Sequence, residues 1–134
     1  MSGEKDLKTL LATLEPELQP GEFVFVSVPD SADIPKEEIV MVFREKEGTT
    51  LIVAKQIAEK YDLSYSYIAA WITLKVHSAL DAVGLTAAFS KQLASQNISC
   101  NVVSGFYHDH VFVDFENGAL AVQILRNISE SMKA

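Results

Sequence analysis

The second half of the chain alternates elements in an order that few folds accept. Trp71 to His77 (WITLKVH) places Ile72, Leu74 and Val76 on one face and Thr73, Lys75 and His77 on the other, the period of a β-strand. A loop from Ser78 to Leu85 leads to a helix in which Leu85, Phe89 and Leu93 recur every fourth residue, with Lys91, Gln92, Ser95 and Gln96 on the wet side. Ile98 to Ser104 and His108 to Phe115 read as two further strands joined by Gly105-Phe106-Tyr107. Asn117-Gly118 then opens a last helix with Leu120, Ala121, Ile124, Leu125 and Ile128 facing inward. Strand, helix, strand, strand, helix builds an antiparallel sheet with both helices on one face, an α+β fold of the ferredoxin-like type. No strand follows the last helix, so the sheet position it would fill is expected from the first half of the chain, or stays open. The other face, lined by Thr73, Lys75, His110 and Phe112, needs a cover or stays wet.

The first half offers matching parts. Glu4 to Leu14 sets Leu7, Leu10, Leu11 and Leu14 at helical spacing, and Pro16 with Gln19-Pro20-Gly21 ends that helix. Strands follow at Glu22 to Val28, Ile39 to Glu45 and Thr49 to Ala54, the last two joined by a hairpin at Glu47-Gly48. Ala54, Ile57, Ala58 and Tyr61 make one face of a short helix ending near Leu63. No Gly/Ser-rich linker separates the halves. The expectation is two intimately packed units, 1–66 and 67–134.

Composition narrows function. The 134 residues are 49% hydrophobic and 22% charged, which suits a folded domain. A formal net charge of −7 with no basic cluster disfavours nucleic acid as a partner. The single Cys100 allows no intrachain disulfide and agrees with a reducing cytoplasm. The charged start MSGEKDLKTLL is unlike a signal peptide, and no run reaches the length of a membrane span, so the chain is expected in the cytoplasm and off the membrane.

The run from Trp71 to Val113 closely resembles the paired ACT-domain family of small bacterial proteins. It does so in Val76-His77-Ser78, Ala82-Val83-Gly84-Leu85-Thr86, Ile98 through Val103 and Tyr107-His108-Asp109-His110. LQPGEFVFVSV (18–28) and FREKEGTTLIV (43–53) extend the resemblance to the first half, and related ACT pairs occur in eukaryotic amino-acid sensors. The resemblance implies a non-enzymatic regulatory module, with a free amino acid lodged between adjoining ACT units. Separately, the apolar terminal helix and the missing last strand suggest an exposed sheet edge that invites pairing, so a homodimer or higher homo-oligomer is expected, with an unidentified enzyme or transporter as a further partner. Many ACT domains are fused to the enzyme they regulate, and this chain has no room for one. No cofactor or metal is implied. The alternative is a structural or protein-interaction module that docks on an enzyme or transporter with no ligand of its own.

The chemistry of the residues fits. A helix start presents unpaired N–H groups and partial positive charge to a carboxylate, and Val83-Gly84-Leu85 leads into one. Gly84 lets backbone approach a ligand with no Cβ in the way. Thr86 is placed as the N-cap, without a capping box because Phe89 stands three residues on. Ser78 and Thr86 add hydroxyls, Asp81 or Asp109 can receive an ammonium, and Asn101 completes the candidate set. Each charged contact contributes about 1–3 kcal/mol, whereas micromolar binding needs about −8 kcal/mol, so one loop is not enough and an interface site is favoured.

The HDH triplet, His108 to His110, carries three readings. Zinc would need a third ligand, and His77 and Cys100 lack diagnostic spacing. A catalytic His–Asp pair lacks a nucleophile, since Cys100 reads as core. The third reading makes His108 and His110 structural or ligand-adjacent, with Asp109 on the opposite face of the strand.

Overall fold

A computed structural model describes residues 3–30, 32–76 and 78–133. His77, expected on the outer face of its strand, lies outside the described residues. By contact, the chain groups into two units, Met1–Gln19 with Ala70–Ala134, and Pro20–Ala69. These boundaries fall elsewhere than a single division at 66/67, because the first nineteen residues group with the second half.

The larger unit begins with α1 (Leu7–Ala12), shorter than its leucine spacing suggests because Asp6 starts it late. The Asp6 carboxylate accepts from Thr9 N (3.0 Å) and Thr9 Oγ1 (2.6 Å), satisfying an amide of the first turn. Next comes β1 (Pro16–Leu18), where the sequence suggested only a break. It pairs antiparallel with β5 (Ile68–Leu74) in the register Pro16↔Leu74, Glu17↔Thr73, Leu18↔Ile72. A proline opening a short edge strand sacrifices no ladder bond that the sheet needs. This strand fills the position that the second half lacks.

β5 is followed by α3 (Leu85–Ser95), the hairpin β6 (Asn101–Ser104) and β7 (Asp109–Asp114), and α4 (Gly118–Lys133). The sheet order is β1-β5-β7-β6, that of a ferredoxin-like unit closed by a strand from upstream. Helices α1, α3 and α4 share one core with the sheet: Leu10, Phe89, Leu93 and Leu125 are wholly buried with Ile72, Leu74, Val111 and Val113. Phe89 and Leu93 keep the expected inward face of α3. On α4 the face is rotated from expectation. Ala121, Val122, Leu125 and Ser129 are buried while Leu120 is 50% exposed. The helix lies so close to the sheet that a methyl on Gly118 would come 3.0 Å from Ala70 Cβ. Ser129 Oγ donates to Ala12 O (2.7 Å), tying α4 to the end of α1.

The opposite sheet face is wet only in part: Thr73 and Phe112 are buried there, while Lys75 is exposed. Trp71 Nε1 donates to His110 Nδ1 (3.0 Å), Thr73 Oγ1 lies 3.2 Å from the same nitrogen, and Gln19 Nε2 donates to Thr73 Oγ1 (3.0 Å). An indole N–H only donates, so Nδ1 accepts and the ring proton sits on Nε2. Trp71 stacks on Phe112, centroids 5.9 Å apart.

The smaller unit contains β2 (Phe23–Val28), β3 (Ile39–Arg44), β4 (Thr49–Ala54) and α2 (Lys55–Lys60), with β5 opening at its end. Its order is β3-β4-β2-β5, and the hairpin between β3 and β4 is closed by Glu45 N donating to Gly48 O (3.1 Å). The β2 to β3 connection, where the other unit has α3, holds only a 3₁₀ turn at Lys36–Glu38. Pro29 and Pro35 leave too little uninterrupted chain for a helix. Val24, Val26, Val28, Leu51, Val53 and Ala58 form this unit's core.

Candidate functional site

The site is built where β5 ends and α3 begins. Ala79 N donates to Glu4 O (2.9 Å) and Lys5 Nζ to Asp81 Oδ2 (2.8 Å), so the segment before α1 holds the loop that follows β5. The chain then turns at Gly84 with φ +99° and enters α3. Gly84, not Thr86, is the N-cap residue, and no side chain caps this helix start. Ala88 N closes the first helical bond to Gly84 O (2.9 Å), which leaves the amides of Leu85, Thr86 and Ala87 as the orphan donors of the first turn. A methyl on Gly84 would lie 3.1 Å from Leu7 Cδ2. The glycine therefore answers to its positive φ and to packing on α1; the expectation that it clears space for a ligand is not what its missing Cβ does.

Beneath this turn β7 starts with Asp109. Strand alternation sends its side chain toward the helices with Val111 and Val113, while His110 faces the other way, as the sequence predicts. Asp109 is only 7% exposed, and no described residue forms a hydrogen bond or ion pair with its carboxylate. Ser104 is its cross-strand partner in the β6–β7 hairpin, which turns through 105–108 with Gly105 N donating to His108 O (2.9 Å).

These elements border an open cavity of about 160 Å³. Ser78, Gly84, Leu85, Thr86 and Asp109 of the sequence-derived set all line it, together with Ala79, Leu80, Ala82, Ala87 and Ser104. Val83 is 83% exposed and Asn101 is an exposed β6 residue whose Nδ2 reaches Phe112 O (3.5 Å); neither lines the cavity. Asp81 is drawn off by Lys5, whose ammonium also holds its carboxyl below the usual carboxylate range, so of the two aspartates only Asp109 faces the cavity. Ser104 escaped the sequence reading, although the hairpin register that opposes it to Asp109 was the signal that could have found it.

His110 serves the opposite face, against Trp71 and Thr73. Burial pushes the His110 ring below the usual histidine range; His108 adds to this and Asp109 opposes it. His108 sits in the turn with a buried Nδ1 that has no partner among the described residues. Among the described residues no three His, Cys, Asp or Glu side chains gather in a way that could hold a metal ion. Cys100 is half-buried, and burial pushes its thiol up. No helix of the described residues is long and apolar enough to cross a membrane.

Comparison with known proteins gives this geometry its context. Models of the ACT domain match residues 2–70 and 66–127. The chain belongs to the ACT-domain family. The two ACT matches lie in tandem along the chain, and the antiparallel sheets with helices are the ACT-type, ferredoxin-like fold. A Vibrio cholerae protein of unknown function, named a possible transport protein, is 41% identical to this ACT chain, covering 93% of it and 97% of its own length, with a TM-score of 0.80. An Agrobacterium tumefaciens protein shares 19% identity over 87% of this chain and 89% of that one, with a TM-score of 0.65. The regulatory subunit of aspartate kinase from Thermus thermophilus, in a ligand-free form, shares 10% identity over 87% of this chain and 98% of that one, with a TM-score of 0.59. At such identities the last two share the fold alone. No curated protein matches the sequence.

Proposed function

We propose that this ACT pair is a non-enzymatic, cytoplasmic amino-acid-binding regulator, its ligand held against the start of α3 at the junction with an adjoining ACT unit of a second copy. Family membership supports a regulatory small-molecule-binding module. One observation carries the finer reading: the amides of Leu85, Thr86 and Ala87 and the Asp109 carboxylate, none with a side-chain partner among the described residues, belong to one small cavity. An α-amino acid carries the complement of both, a carboxylate for the helix start and an ammonium for Asp109. At about 160 Å³ the cavity holds about five water volumes, well under the about 300 Å³ at which drug-sized pockets begin, so it suits a small metabolite.

The junction is supported by the two loops that flank the cavity. Leu80 and Val83 on one, and Phe106 and Tyr107 on the other, are all exposed, and apolar side chains grouped at a site mark a surface that something covers. A homodimer that closes the mouth supplies the further contacts micromolar affinity requires, and the signal then passes to a partner enzyme or transporter. The test is a thermal-shift screen of ligand-free protein with the twenty amino acids. At a hundredfold over Kd the binder adds about 2.7 kcal/mol of stability; a screen in which none raises the melting temperature removes the reading.

A second reading, a docking module without a ligand, draws on β3. This edge strand exposes Val40, Val42 and Phe43, and open edges invite pairing. It predicts a silent ligand screen together with a defined partner in pull-downs.

A further inference from the structure

Among the described residues only one charged side chain lines the cavity, the Asp109 carboxylate. The cation on the neighbouring loop, Lys5, is bound to Asp81 at 2.8 Å, and neither lines the cavity. The first turn of α3 carries no acidic residue, so its free amides are available to one carboxylate. An α-amino acid therefore consumes both charge-bearing features with its own two head groups, the ammonium at Asp109 and the carboxylate at the amides. Within this chain's described lining, whatever charge its side chain carries finds no countercharge, only the hydroxyls of Ser78, Thr86 and Ser104.

We propose that the cavity selects by charge, accepting amino acids with a single carboxylate and rejecting the dicarboxylic ones, with Asp109 as the residue that enforces the choice. This rests on the amino-acid-binding reading above. With the ammonium on Asp109, the short side chain of aspartate or glutamate keeps its second carboxylate roughly 6 Å from Asp109. Like charges at that distance, in an effective dielectric of about 20, weaken binding about 100-fold. One nearly buried carboxylate thus performs two tasks, holding the ligand's ammonium and excluding a second acid.

The experiment is calorimetric titration of the full chain with all twenty amino acids, with attention to the isosteric pairs asparagine/aspartate and glutamine/glutamate. The tightest binder is expected to carry one carboxylate, with aspartate and glutamate about 100-fold weaker than it. In Asp109→Asn, checked for folding by its melting temperature, that ratio is expected to fall at least tenfold even though absolute affinity also drops. Aspartate or glutamate binding within tenfold of the tightest ligand overturns the inference and leaves the sensor reading standing. So does an unchanged ratio in a folded Asp109→Asn. Absence of binding by any amino acid overturns the sensor reading, and this inference with it.

Discussion

Replacing Gly84 by alanine isolates the turn on which the site depends. Its φ of +99° lies beyond the left-handed well near +57° that other residues visit, so a side chain there costs about 1–3 kcal/mol in backbone strain. The added methyl would stand 3.1 Å from Leu7 Cδ2, inside the usual carbon–carbon optimum of about 3.5–4.0 Å, and the leucine must give way by a few tenths of an ångström. Alanine also narrows the unfolded ensemble, which offsets about 0.4–1 kcal/mol. The net expectation is a loss of about 1–2 kcal/mol, or about 3–8 °C in melting temperature for a chain of this length. Urea and thermal denaturation of Gly84→Ala, Leu7→Ala and the double variant separate the causes. Leu7→Ala removes the contact but not the strain, so most of the alanine penalty should survive in that background. Gly84→Asn should lose less than Gly84→Ala, because asparagine tolerates positive φ better. A Gly84→Ala protein that melts at or above the wild type, or whose penalty vanishes beside Leu7→Ala, refutes the backbone reasoning.

Other perturbations test the scaffold around the site. The folded pKa of His110 is depressed by burial, so its contribution to stability is present above the unfolded histidine value of about 6.5 and is lost as pH falls through the folded value. Melting temperature scanned from pH 8 to pH 5 should therefore fall toward acid less steeply in His110→Gln than in the wild type; identical slopes would show that burial does not hold the ring neutral. Ser129→Ala removes the bond to Ala12 O and leaves a carbonyl at the end of α1 unpaired, an expected loss of about 1–2 kcal/mol by urea titration. Gly118→Val drives a side chain into Ala70 and Leu18 and should destabilise by about 1–3 kcal/mol, whereas a neutral outcome would mean α4 can move off the sheet freely.

Much of this architecture was legible because burial imposes a period. Ile72, Leu74 and Val76, and Leu85, Phe89 and Leu93, are buried in the pattern their spacing announces. β1 was not legible: three residues are too few for a period to show, and Pro16 signals a break until its place on a sheet edge is known. The sequence could say that the second unit lacked a strand, not that Pro16–Leu18 would supply it. Leu120 was assigned inward because apolar neighbours crowd that helix, and only contact with β1 and β5 decides that Val122 faces the core in its place. At the site, Ser78, Gly84, Leu85, Thr86 and Asp109, which residue types and their order single out, line one cavity. The reason given for Gly84 was incomplete, because its neighbour Leu7 lies 77 positions away in sequence and no local pattern reveals it.

The central claim concerns three amides and one carboxylate, and a two-dimensional amide NMR titration observes them directly. Adding the amino acid that raises the melting temperature should shift the resonances of Leu85, Thr86, Ala87 and Asp109 along a common saturation curve. Saturable binding with shifts confined to residues outside this cavity, or a spectrum that no amino acid changes, would contradict the account.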